Sequence, residues 1–190
     1  MELKPDKELK CTIFTDQNLA PSILEIINKS KDYCFIITPY INLFKYWEHF
    51  NNILKEASID KKRIVFILRQ VDEKKEKSEE ERKRREEEKK EIIEKLNGEY
   101  KFDLFFVKNL HAKMYLNESE VLISSMNLTN LAKDNNYEIG CLISDPDTSH
   151  RIVEEIIFGK ILKNKEKEHK EGISADWLKE KINAQDTTVV

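Results

Sequence analysis

The sequence predicts an α/β layered domain, and three observations predict it. Short β-rich apolar runs recur along the chain, and helical patterns lie between several of them in the first half. At 190 residues there is room for one domain with a sizeable core and little room for two.

The β-rich runs cover residues 11–15, 33–38, 63–68, 100–107, 113–116, 121–125 and 139–144. Between the first two, residues 21–30 set Ile23, Leu24, Ile26 and Ile27 on a helical period; between the second and third, residues 43–57 do the same with Phe44, Trp47, Phe50, Ile53 and Leu54. Strand and helix therefore alternate through the first half, as a layered α/β domain requires.

Residues 72–91 break the pattern. Of these 20 residues 19 are charged, ten acidic and nine basic, and Glu79 with Lys83, Glu80 with Arg84, Glu81 with Arg85 and Glu86 with Lys90 stand four apart in the favourable order. Almost no apolar stripe precedes Ile92, Ile93 and Leu96, so a solvated helical insertion over 72–97 is expected. Heptads are absent, and the acidic neighbours of the 82–85 "RKRR" run blunt its pull on a phosphate backbone. After a turn at 145–147, a short helix through Ile152, Ile156 and Ile157 is expected. Residues 161–190 then read as a helical extension and tail, with Ile173, Trp177, Leu178 and Ile182 on one face and Trp177 as its packing anchor.

Bulk properties narrow the classes of function. A formal net charge of -3 supplies no global field to recruit nucleic acid or a membrane, so an anionic ligand must be met by a local positive cluster. The three cysteines, 11, 34 and 141, are odd in number and form no Cys-x-x-Cys pair; neither a disulfide framework nor a cysteine-based metal site is expected, and Cys34 and Cys141 read as core residues. MELKPDKELK contains no apolar signal region, and no stretch approaches a membrane span, which makes a reducing cytoplasm the expected compartment.

One stretch carries chemistry. In "HAKMYLNESEVLISSMN", residues 111–127, strand alternation sends His111 and Lys113 to one face and Ala112 and Met114 to the other; Ser125 and Asn127 are spaced the same way. A hairpin turn at 117–120 pairs the two strands and brings the second polar doublet beside the first. Such a cluster is costly in a half-buried place unless it is fully hydrogen-bonded or functional.

The stretch resembles the phospholipase D superfamily signature. His111 and Lys113 stand at its His-x-Lys, Glu118 stands where the pattern has Asp, and Ser124-Ser125-x-Asn127 stands where it has Gly-Ser-x-Asn. Downstream, "NNYEIG" is similar to the family's Asn-x-Glu segment and places Glu138; upstream, "FIITPYI" is similar to the strand and loop before its first helix. The resemblance covers about residues 10–145 in order of elements. It implies a mixed β-sheet flanked by helices over residues 1–160, interrupted by the charged insertion. Two departures stand out: Glu118 for Asp falls in the hairpin turn, away from reacting groups, whereas Ser124 for Gly puts a Cβ where a phosphate would lie.

The resemblance implies a phosphodiesterase that needs no cofactor and no metal, and no metal-ligand spacing surrounds His111. A neutral imidazole attacks phosphorus and a second, protonated imidazole protonates the leaving oxygen. Lys113, Ser125 and Asn127 would hold the nonbridging oxygens, and Glu138 would orient a histidine ring. The chain has one such motif; His49, His150 and His169 lack its companions, so a homodimer with a composite site is expected. Small single-motif members resemble nucleases, which makes DNA or RNA the expected substrate and a membrane an unexpected one. Lys31, Lys45, Lys61, Lys62, Arg63, Lys108 and Lys133 are candidates for a basic rim, and Tyr40, Phe44 and Tyr46 for base stacking. The competing readings are a noncatalytic binding or dimerisation module of the same fold and a phosphodiesterase acting on phospholipid.

Overall fold

The computed structural model describes residues 9–42, 47–59, 62–70, 102–129 and 137–162, together with Ser78 and eight helical residues scattered between 79 and 94. Nine strands and the helices between them follow in the order β1 (Cys11–Thr15), α1 (Leu19–Lys29), β2 (Tyr33–Thr38), β3 (Ile41–Asn42), α2 (Trp47–Ile59), β4 (Arg63–Arg69), β5 (Phe102–Val107), β6 (Met114–Asn117), β7 (Glu120–Ser124), β8 (Leu128–Thr129), β9 (Ile139–Ser144) and α3 (Pro146–Arg151). α3 runs on as a wider helix over Ile152–Ile161, closed by a five-residue hydrogen bond from Leu162 N–H to the Ile157 carbonyl. Asp145 caps α3 by accepting the Thr148 N–H, and Pro146 follows it, so the expected turn is a helix start.

Seven strands form one mixed sheet in the order β1-β9-β7-β6-β2-β4-β5. β2, β4 and β5 are parallel, and the pairs from β2 across to β1 are antiparallel. β3 and β8 make a separate parallel pair.

Helices cover both faces of the sheet centre, and this explains why every residue of β2 is buried. On one face α1 buries Leu19, Ser22, Ile23, Ile26 and Ile27, the three-and-four spacing of an amphipathic helix. They pack with Phe50 and Leu54 of α2 on Cys34, Ile36, Phe66, Tyr115 and Leu122. On the other face Val153, Ile157, Phe158 and Leu162 cover Phe35, Ile37, Val65, Ile67, Leu116 and Val121. Gly140 lets α1 lie close to the sheet, because a Cβ there would collide with Leu19 Cδ2.

The hairpin between β6 and β7 is pinned from inside. Asn117 is buried; its Oδ1 accepts the Ser119 and Glu120 N–H groups and its Nδ2 donates to the Ile26 carbonyl at 2.9 Å. Glu118, beside it, accepts the backbone N–H groups of Lys31, Asp32 and Tyr33, where β2 begins. Its place is therefore structural, at the sheet end remote from His111.

Two expectations need correction. Cys11 and Cys141 form a disulfide, with Cα atoms 5.9 Å apart, so Cys141 is not an unpaired core residue; Cys34 is the buried free thiol. The antiparallel register of β1 on β9 pairs Cys11 with Ile143 and Ile13 with Cys141, placing the cysteines diagonally on one face across 130 residues of sequence. The basic rim is the other. Lys31, Lys62 and Arg63 stand at the start of β2 and β4, whereas His111 precedes β6 at the opposite end of the sheet. Six strand residues separate those ends, roughly 20 Å. Arg63 is also committed to Asp103, Nε to Oδ2 at 2.5 Å.

Within the charged insertion, the described residues Glu79, Glu80, Arg82, Lys83, Glu86, Glu87, Lys90 and Glu94 are helical. Glu79 pairs with Lys83 at 3.8 Å as expected, with Arg82–Glu86 and Lys90–Glu94 pairs alongside. Arg84, Arg85 and Glu81 lie outside the described residues, as do Lys45, Lys61, Lys133, Phe44, Tyr46 and everything after Leu162, including the Trp177 helix. No helix among the described residues is long and apolar enough to cross a membrane.

Candidate active site

The parallel strands β2, β4 and β5 all end at the sheet edge where β6 begins, the edge at which open α/β sheets bind ligands. His111 and Lys113 lead into β6 there, the first exposed and the second half-buried. The Lys113 ammonium donates to the His111 carbonyl at 3.0 Å and sits 3.4 Å from His111 Nε2. One cation and one imidazole thus face the same space.

The second strand of the hairpin delivers Ser124 to Asn127. Ser124 N–H donates to the Lys113 carbonyl at 3.0 Å, which ties the two polar doublets together through the backbone. The Ser125 hydroxyl donates to a carboxylate oxygen of Glu138 and accepts the Ile139 N–H at 3.0 Å. Ser125 N–H in turn bonds the Ile139 carbonyl. Because a hydroxyl has one proton, Ser125 must release Glu138 before it can donate to a phosphate oxygen. Ser124 is held by its own turn: Oγ accepts the Met126 N–H at 2.9 Å and reaches the Ile139 carbonyl at 3.3 Å. Asn127 Oδ1 is buried and accepts nothing among the described residues. Asn127 also lines a largely apolar cavity of about 310 Å³ with Ile23, Leu24, His49, Phe50 and Leu128.

Three positions absent from the sequence reading complete the arrangement. Asp16, with φ of 43°, exchanges hydrogen bonds with Glu138: its Oδ1 accepts the Glu138 N–H at 2.8 Å, and its own N–H bonds the Glu138 carbonyl at 2.9 Å. Aspartate tolerates that left-handed backbone better than most residues. Tyr115, fully buried, donates its hydroxyl to the Met126 carbonyl at 2.9 Å; burial pushes its pKa well up, helped by the Glu138 charge, so it remains a neutral donor. The Thr38 hydroxyl donates to the Tyr40 carbonyl at 2.9 Å and accepts the Leu128 N–H at 3.4 Å. Alternation after Lys113 signals Tyr115, which shares its face. Asp16 and Thr38 carry no local signal of the site, since the bonds that tie them to Glu138 and Leu128 reach across 122 and 90 residues.

Beside the site, the sheet carries half-exposed apolar side chains that no described residue covers. Ile13, Cys141 and Ile123 form one row across β1, β9 and β7. Ile13, Ile123 and Ile139 are 58%, 44% and 56% exposed, and Tyr137 is 98% exposed.

The sequence matches the family model described as "Cardiolipin synthase, PLD-like domain" over residues 23–157. The chain belongs to the phospholipase D superfamily. No curated protein matches the sequence. Among solved structures, it is similar to the phospholipase D family member Nuc from Salmonella typhimurium, at 14% identity and a TM-score of 0.58, covering 78% of this chain and 91% of that one. NucT from Helicobacter pylori follows at 14% identity and 0.56, covering 82% and 97%. Phosphatidylserine synthase from Haemophilus influenzae Rd KW20 is similar at 17% and 0.54, covering 82% of this chain but 38% of that one. At these identities the likeness is one of fold. The mixed sheet between helices implied by the signature is the fold observed.

Proposed function

We propose that this phospholipase D superfamily member is a metal-independent phosphodiesterase, a nuclease that cuts DNA or RNA through a phosphohistidine at a homodimer interface. The observation that carries the reading is the backbone bond from Ser124 to Lys113, which sets His111 and Lys113 beside the strand end that holds the Ser125–Glu138 pair. A neutral His111 ring nitrogen attacks phosphorus while the partner subunit's His111, protonated, gives its proton to the leaving oxygen. Water then attacks the phosphohistidine and surrenders a proton to that second imidazole, which frees His111 and restores the starting state. Lys113 and the Asn127 amide stabilise charge on the nonbridging oxygens, joined by Ser125 once its hydroxyl turns from Glu138. Through Ser125 and Asp16, Glu138 fixes the strand ends that carry these donors.

Two facts support a second copy and a polynucleotide substrate. The half-exposed Ile13 and Ile123 lie on the face that Ile139 carries toward the site, and an apolar sheet surface of this kind is what an isologous interface would cover. The chain also spans nearly all of Nuc and NucT, but 38% of the phosphatidylserine synthase.

The deciding experiment offers plasmid DNA, RNA and bis-p-nitrophenyl phosphate in excess EDTA to wild type and His111→Ala. Cleavage by wild type alone is expected; no cleavage, or equal cleavage by the variant, overturns the catalytic reading and leaves a noncatalytic module. The description of the family model favours one second reading, phosphatidyl transfer, so a phosphatidylglycerol arm belongs in the assay. A monomer in sedimentation at micromolar concentration would deprive the mechanism of its second imidazole.

A further inference from the structure

We propose that Arg69, held against Tyr40, is a second phosphate-binding position, taking a backbone phosphate next to the one at His111 and so selecting polynucleotides over isolated phosphodiesters. The inference rests on the nuclease reading above.

Arg69 is the last residue of β4, and its N–H donates to the Pro39 carbonyl, just past the end of β2. The registers bring Thr38 opposite Leu68 and Ile37 opposite Met114, so the ends of β6, β2 and β4 lie side by side. Two strand spacings, about 10 Å, separate the strand that follows Lys113 from the one that ends in Arg69. Both cations stand at the same end of the sheet, Lys113 on the face of Tyr115 and Arg69 on the face of Ile67, so a polynucleotide meets both only by crossing that end.

The guanidinium is poised there. Its Nη1 donates to the Tyr40 hydroxyl at 3.0 Å, and its central carbon lies 5.9 Å from the Tyr40 ring centroid. Tyr40 is fixed in turn, since its carbonyl accepts the Thr38 hydroxyl, which also takes the Leu128 N–H beside Asn127. Among the described residues Arg69 has no carboxylate partner, in contrast with Arg63 on Asp103 at the other end of the same strand. A planar guanidinium that gives one N–H to Tyr40 and, among the described residues, no other, stacked and oriented, is suited to bidentate capture of a phosphate. Lys108, exposed just after β5, continues the positive edge. This edge supplies the local cluster that a net charge of -3 denies the molecule as a whole.

A small diester occupies the His111 position alone, and a polynucleotide reaches both. Arg69→Ala is therefore expected to raise KM for a fluorescein-labelled single-stranded oligonucleotide by about ten-fold, leaving kcat/KM for bis-p-nitrophenyl phosphate unchanged. Arg69→Lys should recover part of the loss. The slope of log affinity against log salt should flatten by about one in Arg69→Ala. Equal activity of variant and wild type on the oligonucleotide, or equal loss on both substrates, overturns the assignment. Fluorescence anisotropy of the same oligonucleotide, with His111→Ala and with the His111→Ala/Arg69→Ala pair, separates this from failure of the nuclease reading. An Arg69-dependent affinity without cleavage upholds the phosphate position and discards the activity; affinity that ignores Arg69, or no affinity, discards the position.

Discussion

The Ser125 hydroxyl donates to the Glu138 carboxylate, and Glu138 is buried, with 8% of its surface exposed. Removing the donor takes one hydrogen bond from a buried carboxylate. Ser125→Ala is expected to lose about 1–3 kcal/mol in denaturant unfolding. On the proposed mechanism it also lowers kcat by about 10²-fold, since an electrostatic donor is lost. A variant with the wild-type midpoint and full kcat would show that the pair neither stabilises nor serves the site.

Glu118 is expected to separate stability from chemistry. Its carboxylate satisfies three backbone N–H groups at the start of β2, so Glu118→Ala should cost about 1–3 kcal/mol. The kcat of the folded protein should be unchanged. A loss of kcat without a fall in Tm would place Glu118 in the catalytic machinery instead.

The Cys11–Cys141 bond closes a loop spanning 130 residues, a constraint on the unfolded chain worth about 2–4 kcal/mol. Dithiothreitol should lower the Tm of wild type and leave that of Cys11→Ser unaffected. Equal response of the two proteins would contradict the bond.

Arg63 and Asp103 form an ion pair that is largely withdrawn from water. Burial raises the Asp103 pKa despite its partner, and burial lowers that of Arg63. A carboxyl whose folded pKa is raised lends stability in acid, present below the unfolded value and lost as pH rises through the folded one. Asp103→Asn should therefore flatten the stability profile as pH rises from the ordinary aspartate value, while Asp103→Leu takes its carboxylate from the half-buried guanidinium and costs about 3–5 kcal/mol. The double change Arg63→Met/Asp103→Leu should recover most of that loss. Urea midpoints across pH 3–7 check both.

Periodicity by itself determined the layered class, the two helices before β4 and the seven strands of the large sheet, because burial on a sheet or a helix face is written into neighbouring residues. His111, Lys113, Ser125 and Asn127 lie just outside β6 and β7, so strand alternation alone does not place them. What required the tertiary structure were the relationships that cross the sheet. The Cys11–Cys141 bond depends on the β1–β9 register, the grip of Asp16 on Glu138 joins residues 122 apart, and Lys31, Lys62 and Arg63 are remote from His111 because parallel strands begin at the opposite edge from the one where they end. Arg69 carries no local signal, and only the fold sets it on Tyr40. Local sequence encodes which face a side chain takes; which strand lies beside it is decided by the packing of the whole core.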